Sequence, residues 1–445
     1  MTLPLPSHVT DSWQSWGRIV KAQHEIVSPG FQDDVRRALG GSSQPSLAVG
    51  LGRSYGTSCL NPEGRLIDMR GLSRLISFDE QSGILRAEAG ISLWEIIAFA
   101  LPRGFFLPTT PGTRFVTLGG AIANDVHGKN HHSAGTFGTH ISRIGLYRSD
   151  KGLLDLTPET DANLFNATIG GLGLTGIIVW ADLQLVKVPS GELTQTISRF
   201  GNLNGFFEQN AKAVDESEHT VAWIDCLAKG DELGRGVLTS ADWCSTGKTE
   251  VKGPGHGPNV PFSPPSWVMN TLSIRLFNAF YYAYHSMKTG RSVIDYGSYF
   301  YPLDSIRNWN RLYGKKGMFQ YQSVIPEANA AEATRDMLKE ISRAGMGSFL
   351  AVLKTFGDKP SPGMLSFPME GTTLALDFPN KGRATLKLLT ELDTIVRQAG
   401  GRLYPAKDGR IPSDMMESGY PLLNQFLRQI DPALSSLFYR SLDIA

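Results

Sequence analysis

The stretch "GGLGLTGIIVWADLQLVKV", residues 170–188, decides between two architectures. Gly171, Gly173 and Gly176 spell a formal G-x-G-x-x-G, which in a dinucleotide-binding fold comes after a strand and opens a helix. Here the residues after Gly176 are a β-branched, apolar run that passes into alternation, so 177–188 read as a strand. The doubly wound reading therefore fails on context. The glycines keep two uses, a tight turn or a close approach of backbone to a ligand.

Two more glycine-rich stretches lie upstream. "GLGRSYG" (50–56) comes after the strand-like "SLAV", and successive N–H groups in such a turn make an anion-binding nest suited to a pyrophosphate. "PGTRFVTLGGAIANDVHGKNHHSAGTFG" (111–138) ends with His127, Lys129, His131 and His132 crowded together. His127 and His131 sit four apart, a metal-ligand spacing if the segment were helical. Gly128 between them and the flanking glycines argue for a loop, the nearest carboxylate is Asp125, and no metal is expected. One large anionic cofactor lying along all three loops accounts for them together.

Composition sets the outer bounds. The 445 residues are 41% hydrophobic and 19% charged, so a sizeable core and more than one domain are expected, at roughly 100–200 residues per domain. The 43 basic and 42 acidic side chains give a net charge of +1, which leaves no basic face for nucleic acid. Cys59, Cys226 and Cys244 are too few and scattered for a disulfide framework and point to a reducing compartment. The N-terminal residues lack a basic start leading into an apolar run, so no secretory signal is read, and no spanning helix is expected. The expected location is cytoplasmic.

Short strands punctuated by glycine ("SLAVGLG", "RLIDM", "GILRAEAG") fill the first 189 residues, with "SLWEIIAFALPRG" as a helix capped by Ser92 and Glu95. The mixture predicts an α+β class. From 190 to 401 amphipathic helices ("SRFGNLNGFFEQNAKAV", "NAAEATRDMLKEISRAG", "GRATLKLLTELDTIVRQAGG") alternate with strands ("GMFQYQSVIP", "SFLAVLKTFG", "TTLALDFP"), which predicts a second domain. Residues 245–265 are dense in Gly and Pro and read as a mobile loop. The aromatic run "SWVMNTLSIRLFNAFYYAYHSM" (266–287) has two readings: a buried helix over the second domain, or a lid or membrane-interface segment. The tail, 402–445, returns to short polar turns and is expected to rejoin the first domain.

Taken with "LFNATIGGLGLTGII", "WNRLYGKKGMFQYQSVIP", "LSFP" and "GRLYPAKDGR", these stretches resemble the flavin-binding oxidoreductases of the vanillyl-alcohol oxidase type. Within them the chain is similar to the decaprenylphosphoryl-β-D-ribose 2'-oxidases, and "HGKNHHSAG" is the most specific part of that likeness. The resemblance implies a two-part FAD-binding domain of the PCMH type (1–189 and 402–445) with an inserted α+β substrate domain (190–401) carrying a mobile lid region at 245–287. It implies that Gly52, Arg53, Ser54, Tyr55, Gly56, Thr117, Leu118, Gly119 and Gly120 hold the flavin pyrophosphate. Gly112, Asn124, Asp125, Val126, His127, Ile178 and Tyr404 would line the rest of the cofactor. Many relatives tether FAD through a histidine in the first glycine loop; Tyr55 occupies that region here, so non-covalent FAD is expected.

Oxidising a secondary alcohol on a flavin needs a group that takes the hydroxyl proton and a cation near the ring. Lys407 ranks first for these roles, with His127 and Lys129 as the other catalytic candidates; His131 and His132 read as hydrogen bonders that stabilise the loop. Gln320 and Gln322 share one strand face and, with Tyr55, are expected to contact the sugar, while Lys354 is expected to pair with a phosphate. Mycobacterial members have Cys and Asn where Ala375 and Thr373 stand here, and these two are also placed at the substrate. The implied substrate is a polyprenyl-phosphate-linked pentose, oxidised at the 2'-hydroxyl to a keto intermediate on the way to an arabinose donor for the cell envelope. A short-chain reductase partner would complete the epimerisation, and a lipid substrate implies loose attachment to the inner membrane face. Two other readings stand beside this one: an oxidase of soluble sugars, alditols or aldonolactones, and a flavin-binding redox-sensing subunit.

Overall fold

The computed structural model describes residues 5–443 apart from 41–43, 252, 254–256, 266–267 and 408. Ile177–Gln184 is a strand, central in a five-stranded antiparallel sheet between Ile84–Glu88 and Ile141–Arg148, with Leu75–Asp79 and Gly152–Leu156 at the edges. Both of its faces are covered, which explains the near-continuous apolar sequence. Ile177 and Val179 pack beside Val27, Val35 and Ile67, whereas Ile178, Ala181 and Leu183 belong to the opposite cluster with Leu85 and Leu118. A bulge between Ile178 and Trp180 produces that change of parity. The glycine run before it is a turn, with Leu172 at φ 56° and Gly173 at φ 75°. The backbone N–H groups of Gly170 and Leu172 bind it to Ile122 and Ala123.

A second, four-stranded sheet runs Ser7–Thr10, His24–Val27, Arg65–Asp68, Ser46–Val49, the last three parallel. The "GLGRSYG" turn leaves the carboxyl end of the parallel strand Ser46–Val49, where open sheets commonly receive ligands. The Leu93–Ala100 helix carries the Ser92–Glu95 capping box, and Gly104 at φ 76° reverses the chain after it.

The rest of the chain is built on an eight-stranded sheet in the order Gly290–Asp295, Glu192–Phe200, Gly236–Trp243, His219–Ile224, Ala351–Phe356, Gly371–Pro379, Met318–Ile325, Arg402–Leu403. Side chains alternate across it. Tyr321, Leu353, Leu374 and Leu376 face the helices Leu203–Glu216, Glu327–Ala344 and Arg383–Gln398 and form the largest core. Gln320, Val352 and Lys354 face the other way, into a cavity shared with the first two sheets.

Two sequence expectations change. The segment at 266–287 is not a buried helix: its described part forms the helix Thr271–Ser286, which buries only Ile274 and Asn278. Leu272, Leu276, Phe280 and Met287 are 64–79% exposed. The aromatic richness that suggested burial reflects a helix touching protein on one side only. The tail is not a series of polar turns. Arg402–Leu403 extends the large sheet, and the helices Ser413–Gly419, Leu423–Leu427 and Leu437–Ser441 pack on its core. Asp431 accepts from Ser149 N at 2.7 Å, and Ser46 exchanges backbone bonds with Ala433 and Ser435, so the tail laces the two halves together.

Candidate active site

The three glycine-rich stretches meet along one cavity of about 1000 Å³, at the top of the usual ~300–1,000 Å³ range of ligand pockets. It extends from the first domain's loops to the face of the large sheet. Gly52 (φ 63°) turns the first loop left-handed, and the N–H groups of Gly52, Arg53 and Ser54 make no hydrogen bond to any described residue. Arg53 is held aside, with Nε donating to Phe115 O at 3.1 Å and its guanidinium 4.2 Å over Trp16. Gly50 presses so close to the next loop that a Cβ there would lie 2.2 Å from Thr117 Oγ1. Two buried polar atoms on the cavity wall, Ser58 Oγ and Asn124 Oδ1, also lack partners among the described residues. Free amides, orphaned polar atoms and side-chain-free walls fit a long, anionic, heterocyclic cofactor such as FAD.

The second loop serves differently. Thr117 caps the short Leu118–Ala123 helix by accepting from Gly120 N, while Leu118 N and Gly119 N donate to Ile91 O and Ala89 O. Those amides are consumed inside the protein, so this loop offers the cavity shape rather than donors. Gly112, Thr117, Gly119, Gly120, Asn124, Val126, Ile178 and Tyr404 line the cavity; Gly56, Leu118 and Asp125 do not. Leu118 is core. Asp125, fully buried at φ 38°, accepts from Gly138 N at 2.7 Å and from Ser366 Oγ, which ties the histidine loop down; burial raises its pKa to about 6. Tyr404 donates to Asn124 O at 2.8 Å and stacks on Phe367 at 4.5 Å.

His127 is the hub. Its Nδ1 lies 3.1 Å from Lys354 Nζ, which also donates to Gly128 O at 3.1 Å. Its Nε2 lies 3.1 Å from the Gln322 carboxamide, itself 3.2 Å from Thr373 Oγ1. The Gln322 atom facing the ring is Nε2, which also donates to Thr373 Oγ1, so His127 stands between two nitrogen neighbours, Lys354 Nζ at Nδ1 and Gln322 Nε2 at Nε2. Burial first, then Lys354, drives the His127 pKa well below its ordinary value and keeps the ring neutral. Lys354 thus contacts His127, while Gln322 and Thr373 stand behind the ring and off the cavity wall. Ala375 sits opposite Gln322 and Val352 in the sheet.

Lys407 Nζ lies 4.4 Å over the Tyr55 ring, and Tyr55 N donates to Ala406 O at 3.1 Å, so the first glycine loop and the returning tail build this corner together. Lys129 donates to the Tyr299 carbonyl and lies 4.0 Å over that ring. Burial pulls Lys129 and Lys354 down to about 7 and Lys407 to about 8. No ion pair to a carboxylate holds any of the three among the described residues. Three half-buried lysines converge on one cavity, and among the described residues only Lys407 has a carboxylate near it, the buried Asp377, a set that suits an anionic ligand.

Other expectations fall elsewhere. His132 bonds Ser217 O at 3.0 Å, but His131 is no hydrogen bonder: neither ring nitrogen has a partner among the described residues, and it packs 4.6 Å from Phe356. Among the described residues no three His, Cys, Asp or Glu side chains converge on a metal position. Asp377 was overlooked. It is fully buried, accepts from Gln320 Nε2 at 2.7 Å, and burial raises its pKa to about 7 beside Lys407. The alternation that places Thr373 and Ala375 on the cavity side reaches Asp377 two residues on. Tyr281, Tyr284, His285 and Lys288 of the 271–288 segment also line the cavity and carried no sequence signal of their own.

Comparison with known proteins fits this geometry. The FAD binding domain family matches residues 25–157. Decaprenylphosphoryl-β-D-ribose oxidase of Mycolicibacterium smegmatis is 34% identical over 95% of both chains. An uncharacterised Streptomyces coelicolor protein is 31% identical over 78% of this chain and 97% of its own. Mouse L-gulonolactone oxidase is 26% identical over 41% of this chain and 42% of its own.

Proposed function

Since the chain belongs to the decaprenylphosphoryl-β-D-ribose oxidase family of FAD-dependent oxidoreductases, we propose that it oxidises the 2'-hydroxyl of a polyprenylphosphoryl-β-D-ribose to the 2'-ketone. The observation that carries this reading is the set of three half-buried lysines facing one cavity with the flavin loops, of which Lys129 and Lys354 have no carboxylate partner among the described residues. They suit a substrate that brings its own phosphodiester charge, which free sugars, alditols and lactones lack.

FAD, held non-covalently, supplies the hydride acceptor when bound. The amides of Gly52, Arg53 and Ser54 are assigned to its pyrophosphate and Asn124 and Tyr404 to the ring end of the loops. Lys407 is assigned the hydroxyl proton, taken at Nζ. Burial lowers its pKa to about 8, so a neutral amine is accessible near neutral pH, whereas both nitrogens of His127 are already engaged. His127, fixed by Lys354 and Gln322, orients the sugar; Gln320, lying between Asp377 and Tyr55, is assigned to its hydroxyls. Lys129 and Lys354 compensate the phosphate.

Oxidation leaves a ketone, so a separate reductase must act next to complete an epimerisation. No helix among the described residues is long and apolar enough to cross a membrane; a lipid-linked substrate instead asks for peripheral contact, which we assign to the cytoplasmic face. The test is anaerobic absorbance of the purified holoenzyme. Loss of the ~450 nm flavin band on adding polyprenylphosphoryl-ribose, and not on adding free ribose or alditols, is expected. Bleaching by free polyols would replace this reading with a soluble-sugar oxidase, and purification without flavin would sink both.

A further inference from the structure

From the Thr271–Ser286 helix we infer a bilayer-docking face that sets the cavity mouth against the headgroups of an anionic membrane. The inference rests on the lipid-linked substrate of the proposed function and names the surface that meets the lipid.

The exposed apolar side chains of this protein are not scattered. Of the fifteen large hydrophobics that stand exposed among the described residues, eight lie between Phe262 and Val293. At 100° per residue, Leu272, Leu276, Phe280 and Met287 fall on one side of the helix, 64–79% exposed. The opposite side holds Ile274 and Asn278, which are buried, and Tyr281, which lines the cavity. One helix thus has one face on the substrate space and the other bare. An apolar stripe of this kind on a monomer's surface marks a binding site.

Charge selects the occupant. Residues 251–294 contain no Asp or Glu, but include Arg275, Lys288 and Arg291. Arg275 and Lys288 fall on opposite flanks of the stripe, each exposed, placed to reach phosphate while the side chains between them enter the acyl boundary. A basic border flanking an exposed apolar stripe is the pattern with which interfacial helices meet an anionic bilayer. Lys288 also lines the cavity, so the tail of a lipid-linked substrate passes directly from the membrane into the site without crossing water.

Co-sedimentation of the holoenzyme with vesicles tests this, using phosphatidylglycerol–phosphatidylcholine mixtures and phosphatidylcholine alone. The expected result is binding to the anionic vesicles, at least tenfold weaker to the neutral ones, and at least tenfold weaker for L276E/F280E. That variant touches neither the cavity wall nor a catalytic assignment, and it should keep full turnover of a short-chain, detergent-free polyprenylphosphoryl-ribose. No binding by the unaltered protein overturns the docking face, whatever the substrate proves to be. So does a self-association in sedimentation velocity that L276E/F280E abolishes without any vesicle binding, because the stripe would then serve a second copy. Vesicle binding with no flavin reduction by the lipid-linked ribose leaves the face standing and removes the proposed substrate.

Discussion

Lys354 Nζ stands 3.1 Å from His127 Nδ1, a half-buried lysine against a buried histidine, with no carboxylate joined to the lysine among the described residues. A strand of the large sheet supplies the first and the histidine loop the second, so the contact joins sheet and loop at the point where chemistry is assigned. Replacing Lys354 by Met removes the group that holds His127 Nδ1 and ties it to the Gly128 carbonyl. A charge-assisted hydrogen bond is worth about 1.5–3 kcal/mol, so kcat/KM should fall about 10- to 100-fold with FAD still bound at full stoichiometry. Steady-state kinetics and the flavin-to-protein absorbance ratio check both halves; unchanged kcat/KM would leave Lys354 a packing residue.

The proton-accepting role of Lys407 carries its own pH signature. Its conjugate acid titrates at about 8 in the folded protein, so log kcat/KM should climb with unit slope below that pH and level off above it. K407M should lose at least 100-fold and show no such limb. A profile that falls through the same range would mean that the ammonium is the active form.

Stability should respond to pH in a direction opposite to that of an ordinary salt-bridged protein. Burial lowers the folded pKa of Lys129 and Lys354 to about 7, while an unfolded lysine keeps its proton to about pH 10.4. Between those values the unfolded chain binds more protons, so stability rises with pH across the window. Thermal melts of the holoenzyme between pH 7 and 9.5 should show a rising midpoint, and K129M should flatten the rise. A K129M melt that tracks the unaltered protein at every pH would show that Lys129 is not the half-buried cation described.

Ala375, facing Gln322 across the sheet, offers no thiol, and Cys59 on the cavity wall is pushed up to about 12 by burial. Inhibitors that act by trapping a cysteine beside the substrate should therefore leave the intact mass unchanged, and A375C should acquire the adduct. An adduct on the unaltered protein would identify Cys59 as reachable after all.

Tyr55 stands in the first glycine loop with its ring beneath Lys407, and that loop, residues 50–56, holds no histidine to bond a flavin. Acid precipitation should release all the yellow colour to the supernatant. Flavin retained in the pellet would point to another attachment residue.

Much of this was already written in the linear chain. The strand after the Gly171–Gly176 run excluded a dinucleotide fold because β-branched periodicity is a local property, visible without neighbours. The Ser92–Glu95 cap was legible for the same reason, and the "HGKNHH" loop declared itself through residue types that are costly to bury without a purpose. Other features had no local signal. Nothing in "GLGRSYG" and "TLGGAIAN" tells which loop keeps its amides free, because Leu118 N and Gly119 N are consumed by Ile91 and Ala89, brought there by the sheet. Gln322 looked like a sugar contact and proved to be a support behind His127, a distinction made by strand register over a separation of 195 residues. Asp377 becomes a partner of Gln320 only when two strands pair. The helix at 271–286 had an amphipathic sequence either way, and only packing shows which of its faces is covered. Sequence by itself determined the α+β class, an anionic cofactor along the glycine loops and the residues with chemistry to spare, since these come from local pattern, while FAD was implied by the family resemblance. Tertiary structure alone decided which of them meet, which are buried deeply enough to shift their pKa, and which remain bare, because burial and charge coupling are set by neighbours distant in the chain.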